Sequence, residues 1–279
     1  MSERTIVITG ASDGIGAAAA RALSRSGDRV VIVGRSPQRT QAIAAELGAD
    51  HFIADFSRLA EVRTLASDLL KRYPRIDVLA NNAGGIMGDR ELTVDGHEMT
   101  MQVNHLAPFL LTTLLMDRLL ASRATVINTS SAANRFGRIN LDDLDNARKY
   151  SANKAYGDAK LANILFTREL HRRYNARGLV TAAFHPGIVA TSFSANSTSI
   201  MRFVYQTALK RMLITPEKGA DTLIWLTAAG VDWQSGEFYE KRRVQSANRQ
   251  AADAGLATAL WERSADMVAT DLLPQDHAS

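Results

Sequence analysis

No cysteine occurs among the 279 residues, which removes disulfides, thiolate nucleophiles and cysteine-ligated zinc together. Any catalysis falls to oxygen and nitrogen groups. The six histidines are scattered, without an H-E-x-x-H or comparable pair. No metal site is expected, and His105 and His185 read as hydrogen-bonded scaffold near a cleft. No apolar run reaches the roughly 20 residues needed to cross a bilayer, and no signal pattern precedes the first apolar segment. The expectation is a cytoplasmic protein with no membrane partner. Aromatic residues make up only 6% of the chain. The basic residues behind its net charge of +4 are spread out. The one dense cluster, Lys241-Arg242-Arg243, reads as an exposed turn after the last strand rather than a nucleic-acid patch. Linkers rich in proline, glycine or serine, internal repeats and low-complexity tracts are also missing, so residues 1–279 read as one domain.

What is present alternates between two periods. Thr5-Ile6-Val7-Ile8-Thr9 is a β-branched run that reads as a buried strand. Further strands read at 29–33, 50–54, 76–81, 124–129 and 179–184, with helical periodicity between them. This pattern predicts an α/β fold: a doubly wound, mainly parallel sheet with helices on both faces. Ligands of such folds lie at the carboxyl ends of the strands. Gly10, Asn81, Ser131 and Pro186 all fall there.

The first strand runs into Gly10-Ala11-Ser12-Asp13-Gly14-Ile15-Gly16 and then an alanine-rich helix. Strand, glycine turn and helix suit a dinucleotide. Glycines let backbone approach a pyrophosphate, and the helix N-terminus offers free N–H groups to an anion. The spacing is G-x-x-x-G-x-G, not the common G-x-G-x-x-G. Tyr156 is followed four residues later by Lys160, which puts both on one helix face. An ammonium there would pull the phenol below its ordinary value near about 10 and toward a useful acid/base. On its own, Y-x-x-x-K is a common helical pair without chemistry.

Taken in order, these motifs resemble the short-chain dehydrogenase/reductase family over nearly the whole chain. Thr9 to Gly16 matches its T-G-x-x-x-G-x-G, Asn81-Asn82-Ala83-Gly84 its N-N-A-G, and Asn104, Ser131, Tyr156 and Lys160 its catalytic tetrad. The segments Val103-Asn104-His105-Leu106, Asp158 to Leu170 and His185-Pro186-Gly187 resemble the retinol-dehydrogenase-like branch. So does a long insertion, 133–155, whose Asp142, Asp143 and Asp145 read as a solvated charge run. The implied fold is a Rossmann-type single domain, and the implied activity is interconversion of a carbonyl and an alcohol with a nicotinamide cofactor.

By that resemblance Tyr156 exchanges the proton, Ser131 holds the substrate oxygen, Lys160 holds the nicotinamide ribose, and Asn104 keeps a helix distorted for a proton path. Chemistry alone leaves Ser130 or Ser131 open for the serine role; the family pattern favours Ser131, with Ser130 supporting the strand end. The cofactor contacts implied are Gly10, Ser12, Asp13, Gly14, Ile15 and Gly16 at the turn, Asp55 and Phe56 near adenine, and Asn82, Ala83 and Gly84 along the cleft. Pro186, Gly187, Val189 and Thr191 would close over the nicotinamide amide. Asp55 also reads as a plain helix cap.

Cofactor choice turns on the end of the second strand, Val33-Gly34-Arg35-Ser36. It lacks the carboxylate that accepts from an NAD ribose. Arg35, Ser36 and Arg39 suit a 2′-phosphate instead, so NADP(H) is expected, with Asp13 in the turn opposing it. After Thr191 comes an apolar stretch with Phe193, Ile200, Met201, Phe203, Val204 and Tyr205. It reads either as a substrate lid over 192–216 or as a core helix. The expected substrate is a hydrophobic or aromatic carbonyl or alcohol. Helices at 104–120 and 156–174 are where a homodimer would form, with Leu110, Leu111, Leu114 and Leu115 feeding either that interface or the core. Two other functions remain open: a dinucleotide-binding regulator without turnover, and a reductase of C=C or C=N bonds.

Overall fold

The computed structural model describes residues 3–187, 214–228 and 232–269. Val189, Thr191 and nearly all of the expected 192–216 lid lie outside them. Among the described residues, eight strands form one sheet in the order β3-β2-β1-β4-β5-β6-β7-β8. They are β1 (Thr5–Thr9), β2 (Arg29–Gly34), β3 (Asp50–Ile53), β4 (Val78–Asn81), β5 (Thr125–Thr129), β6 (Val180–His185), β7 (Glu237–Glu240) and β8 (Arg243–Val244). Neighbours pair parallel from β3 to β7, and β8 is antiparallel to β7. The order reverses beside β1, whose Ile6 aligns with both Val30 of β2 and Val78 of β4. A crevice opens at such a switch point.

Alternation along the strands builds two cores. Val7, Val31, Leu79, Val126 and Ala183 face one side, and Ile6, Ile8, Ile32, Ala80 and Ile127 the other. The second side takes α1 (Gly14–Arg25) and α2 (Pro37–Leu47). Alanines at 17–20 leave α1 narrow enough to lie close on β1. Asp13 caps α1. Ser36 caps α2, Pro37 opens it, and Gly48 ends it at φ 60°, a left-handed position that suits glycine.

The first side takes α3 (Leu59–Arg72), then α4 (Met99–Met101), a π-helical turn at Gln102–Leu106, α5 (Ala107–Leu114) and α6 (Met116–Ala121). The long α7 (Ala152–Tyr174) follows. Beyond β6 come α8 (Pro216–Thr227), on the second side, and α9 (Ala254–Met267), on the first.

Several sequence readings need correction. The helix read at 104–120 is interrupted by the π-turn and again at Leu115. The helix read from 156 begins a turn earlier because Ser151 caps it. Leu110, Leu111 and Leu115 are fully buried in the first core, so these leucines serve the core rather than a dimer face. α9 covers α7, with the Trp261 ring 5.0 Å from Phe109 and 5.8 Å from Phe166. The insertion is not a plain solvated run. Asp142 is exposed, but Asp145 accepts from the Glu98 amide at 2.8 Å, and Asp143 from the Ala147 amide at 2.7 Å.

Candidate active site

The glycine turn is shaped from β4. The Thr9 hydroxyl accepts from the amides of Asn82 (2.9 Å) and Ala83 (3.0 Å), and the Asn82 carboxamide donates back to the Thr9 carbonyl at 3.1 Å. Asn82 therefore acts through its side chain as well as its backbone. Asn81, by strand alternation, points into the core toward Thr112 and Asn128. Gly10 has φ 66°, and a Cβ there would lie 2.8 Å from the Ala83 Cα; one on Gly16 would lie 2.4 Å from the Gly10 carbonyl. Side chains at these positions would collide with the turn itself and with the Asn82-Ala83 segment, so glycine keeps the turn tight and its amides accessible to a phosphate-bearing group.

At the end of β2, Arg35 is exposed and makes no ion pair among the described residues. Arg39 lies 3.3 Å from the Asp13 carboxylate, and the Ser36 hydroxyl accepts from the Arg39 amide at 3.5 Å. The three groups expected to act alike thus differ, since two are partly occupied by capping or pairing. Asp55 accepts from the Ser57 amide at 3.0 Å and hydroxyl at 2.8 Å. It braces the entry to α3 while still lining the crevice.

On the other wall α7 carries Tyr156 and Lys160, with the Lys160 ammonium 5.4 Å from the phenol ring centroid. Lys160 is 2% exposed and donates to the Thr129 carbonyl at 3.1 Å. The Ser131 hydroxyl lines the cavity with the Tyr156 phenol, whose pKa it lowers, and it accepts from the Ala133 amide at 3.2 Å. The Ser130 hydroxyl donates instead to the Lys160 carbonyl at 2.7 Å, so the adjacent serines divide into one at the reactive group and one fixing helix to strand. Asn104 sits within the π-turn rather than at a helix cap. Its carboxamide accepts from the Gly85 amide (2.9 Å) and donates to the carbonyls of Gly85 and Thr100 (both 2.8 Å). A π-turn held by such cross-bonds commonly marks a functional site.

Asn163, one turn after Lys160, was not singled out from the sequence. Its carboxamide donates to both the Thr129 carbonyl (3.1 Å) and the Asn104 carbonyl (3.0 Å), tying β5, the π-turn and α7 at one point. His105 stands between Asn163 (3.3 Å) and Ser264 (2.9 Å), and burial lowers it to about 4. It is neutral scaffold.

The electrostatics depart from the spacing argument. Burial pushes the Tyr156 phenol above its ordinary value, against a smaller lowering by the Ser131 hydroxyl. Burial likewise draws Lys160 down to about 7. Four-residue spacing places the ammonium near the ring but does not keep it in water, and desolvation opposes the charged form of both groups. Lys160 by itself does not depress Tyr156.

The two walls enclose one cavity of about 610 Å³. It is lined by Gly10, Ser12, Asp13, Gly14, Ile15, Arg35, Ser36, Arg39, Asp55, Phe56, Asn82, Ala83, Gly84, Ser131, Tyr156, Lys160, Pro186 and Gly187. Gly16 lies beneath the turn, and Asn104 behind Gly84 and Gly85. His185, 7% exposed, accepts from the Gly187 amide at 3.4 Å and shapes the same wall. Ile86, Met87, Phe136 and Asn153 also line the cavity and were missed. Asn153 had a signal, because it stands one helical turn before Tyr156 and shares its face.

A family model for short chain dehydrogenases matches residues 4–201. The chain belongs to the short-chain dehydrogenase family. These are oxidoreductases that use a nicotinamide dinucleotide, and the cradle above fits one. A protein of Streptomyces sp. (strain C5), provisionally named a daunorubicin C-13 ketoreductase, is 46% identical over 95% of this chain and 92% of its own length. Human retinol dehydrogenase 11 is 35% identical over 95% of this chain and 86% of its own, which bears out the likeness to the retinol-dehydrogenase branch. A solved structure of a Mycobacterium paratuberculosis protein superposes with a TM-score of 0.80 at 34% identity, covering 98% of this chain and 96% of that one. A Shigella flexneri short chain dehydrogenase solved in complex with NADP gives a TM-score of 0.66 at 25% identity, covering 85% and 96%. Among the described residues no helix is long and apolar enough to cross a membrane.

Proposed function

We propose that this short-chain dehydrogenase is an NADP(H)-dependent carbonyl reductase or alcohol dehydrogenase for a hydrophobic or aromatic small molecule, with Tyr156 as general acid/base. The observation that carries the reading is the convergence of the Ser131 hydroxyl, the Tyr156 phenol and the Lys160 ammonium on the cavity that also holds the glycine cradle.

A bound nicotinamide dinucleotide supplies or accepts the hydride. The chain's own groups handle the oxygen and the proton. Ser131 and Tyr156 hydrogen-bond the substrate oxygen together, and Ser131 stabilises the charge that develops on it. Tyr156 gives its proton to that oxygen in reduction and takes one back in oxidation. Burial favours the protonated phenol, the form ready to donate. Lys160 would hold the ribose hydroxyls of a bound dinucleotide, and an oxidised nicotinamide would supply positive charge that favours the ionised phenol in the oxidising direction. Asn104 and Asn163 hold the π-turn and the Thr129 carbonyl that place Lys160.

Arg35, exposed at the end of β2 without an acidic neighbour in strand register, supports NADP(H) through charge-assisted bonds to a 2′-phosphate. The neighbour solved in complex with NADP supports the same reading. The test is a panel of ketones, aldehydes and their alcohols assayed with both cofactors. Turnover of apolar carbonyls with NADPH supports the reading, and turnover confined to small charged acids contradicts it.

A further inference from the structure

Phe136 stands apart from the rest of the cavity wall. Among the described residues five large apolar side chains are well exposed, and Phe136, at 60%, is the aromatic one. It is also the one that lines the cavity; Ile53, Leu92, Val94 and Val244 do not. Leaving a ring this open forgoes the stabilisation its burial would give.

The ring is also held. It ends a 3-10 turn, Ala132–Phe136, that begins at the Ser131 cap. Asn134 in that turn is fully buried and donates to the Ser131 carbonyl at 2.7 Å. Asn248, distant in sequence, fixes the turn from outside. Its amide donates to the Asn134 side chain at 2.9 Å, and its carboxamide to the carbonyls of Asn134 (3.0 Å) and Gly137 (2.8 Å). From below, one edge of the ring rests on α7 next to Tyr156, where a Cβ on Gly157 would come within 2.8 Å of the ring. Exposed on a braced turn with one edge against α7, the ring has the form of a contact surface, with little backbone ordering left to do when something lands on it.

We propose that Phe136 is a fixed aromatic shelf that receives the flat face of a fused-ring aryl ketone or alcohol, and that it makes the site prefer such substrates over saturated ones of the same carbon skeleton. This rests on the oxidoreductase reading above. Aromatic pairs gain from offset or edge-on contact beyond the area they bury, a gain a saturated ring does not share. Ser131 and Phe136 bracket one braced turn, so the oxygen-holding hydroxyl and the shelf belong to the same wall of the cavity. A fused-ring face offers a larger flat area for that contact than a single ring does. Met87 and Ile86 on the facing loop add pliable apolar surface,.

The test compares 2-acetylnaphthalene with its fully saturated counterpart, 2-acetyldecalin. Both are assayed as substrates with NADPH, and binding of the naphthyl ketone to the NADP⁺ complex is followed by its fluorescence. Phe136→Ala should raise KM and Kd for the naphthyl ketone about tenfold, with kcat within about twofold and a clearly smaller rise in KM for the decalin ketone, which loses only apolar contact. Phe136→Leu, which keeps the apolar bulk and safeguards folding, should shift the naphthyl values the same way. Phe136→Trp should restore them. Equal losses for both ketones, no loss for either, or no measurable binding of the naphthyl ketone to the unaltered complex would overturn the shelf. If the unaltered protein reduces neither ketone, the oxidoreductase reading fails on this pair, while the Kd ratio between Phe136 and its variants still decides the shelf.

Discussion

The Ser130 hydroxyl donates to the Lys160 carbonyl at 2.7 Å, so the end of β5 sets the axial position of α7 and with it the height of Tyr156. Ser131, the next residue, lines the cavity with the phenol and lowers its pKa. The two serines should separate cleanly on mutation. Ser131→Ala should lower kcat by about a hundredfold, the scale of losing an oxyanion donor, with a thermal midpoint close to the parent. Ser130→Ala should destabilise by about 0.5–1.5 kcal/mol through loss of this second hydrogen bond to the Lys160 carbonyl, with a smaller loss of kcat. Kinetics and thermal melts on the two variants check this, and the reverse pattern would exchange their roles.

Cofactor preference should rest mainly on Arg35. NADPH should exceed NADH at least about tenfold in kcat/KM, a difference of about 1.4 kcal/mol that one charged contact can supply. Arg35→Asp should reverse it. Asp13 pairs with Arg39 at 3.3 Å, so Asp13→Asn should free that guanidinium and widen the preference for NADPH. Equal use of both cofactors by the parent would count against the assignment.

Lys160 gives the pH dependence a sign. It is drawn down to about 7 in the fold against about 10.4 when unfolded. Between those values the unfolded chain binds more protons, so Lys160 makes the protein lose stability as pH falls from about 10.4 to about 7, with the full penalty kept below. His105, lowered to about 4 from about 6.5, adds a further loss as pH falls across that lower window. Lys160→Met should therefore raise the melting temperature more at pH 6 than at pH 10, while abolishing most turnover. A gain that does not change with pH would show that Lys160 is not held neutral.

Assembly is a further point. Ala257, Leu260 and Trp261 of α9 are buried against the α5–α7 layer, and Trp261 sits 6.2 Å from Tyr174. This covering occupies surface that a homodimer built on those helices would need. Light scattering should give a species near 30.4 kDa, and a dimer would mean that another surface pairs.

The sheet was largely legible because β-branched runs such as Thr5–Thr9 carry the signal locally. β7 and β8 were not, since β7 buries Phe238 and Tyr239 side by side without alternation, and Arg243 and Val244 of β8 are both exposed. Glycine spacing and the order of the motifs located both walls of the cavity. What escaped were relationships across long separations: Asn248 with Asn134 is 114 residues apart, and Arg39 with Asp13 joins two elements. The direction of the Tyr156 shift escaped for a different reason. Spacing on a helix reports proximity, whereas a pKa depends on how much water the packing removes.

The central claim is that the Tyr156 phenol passes the proton. Tyr156→Phe keeps the ring and the phosphate cradle and removes only that hydroxyl. Its steady-state reduction of an apolar ketone, measured beside NADPH affinity, tests the claim most directly. Turnover should fall by about three orders of magnitude or more, toward the scale of a lost general acid, with NADPH Kd within a few fold of the parent. Near-parent turnover would contradict the account.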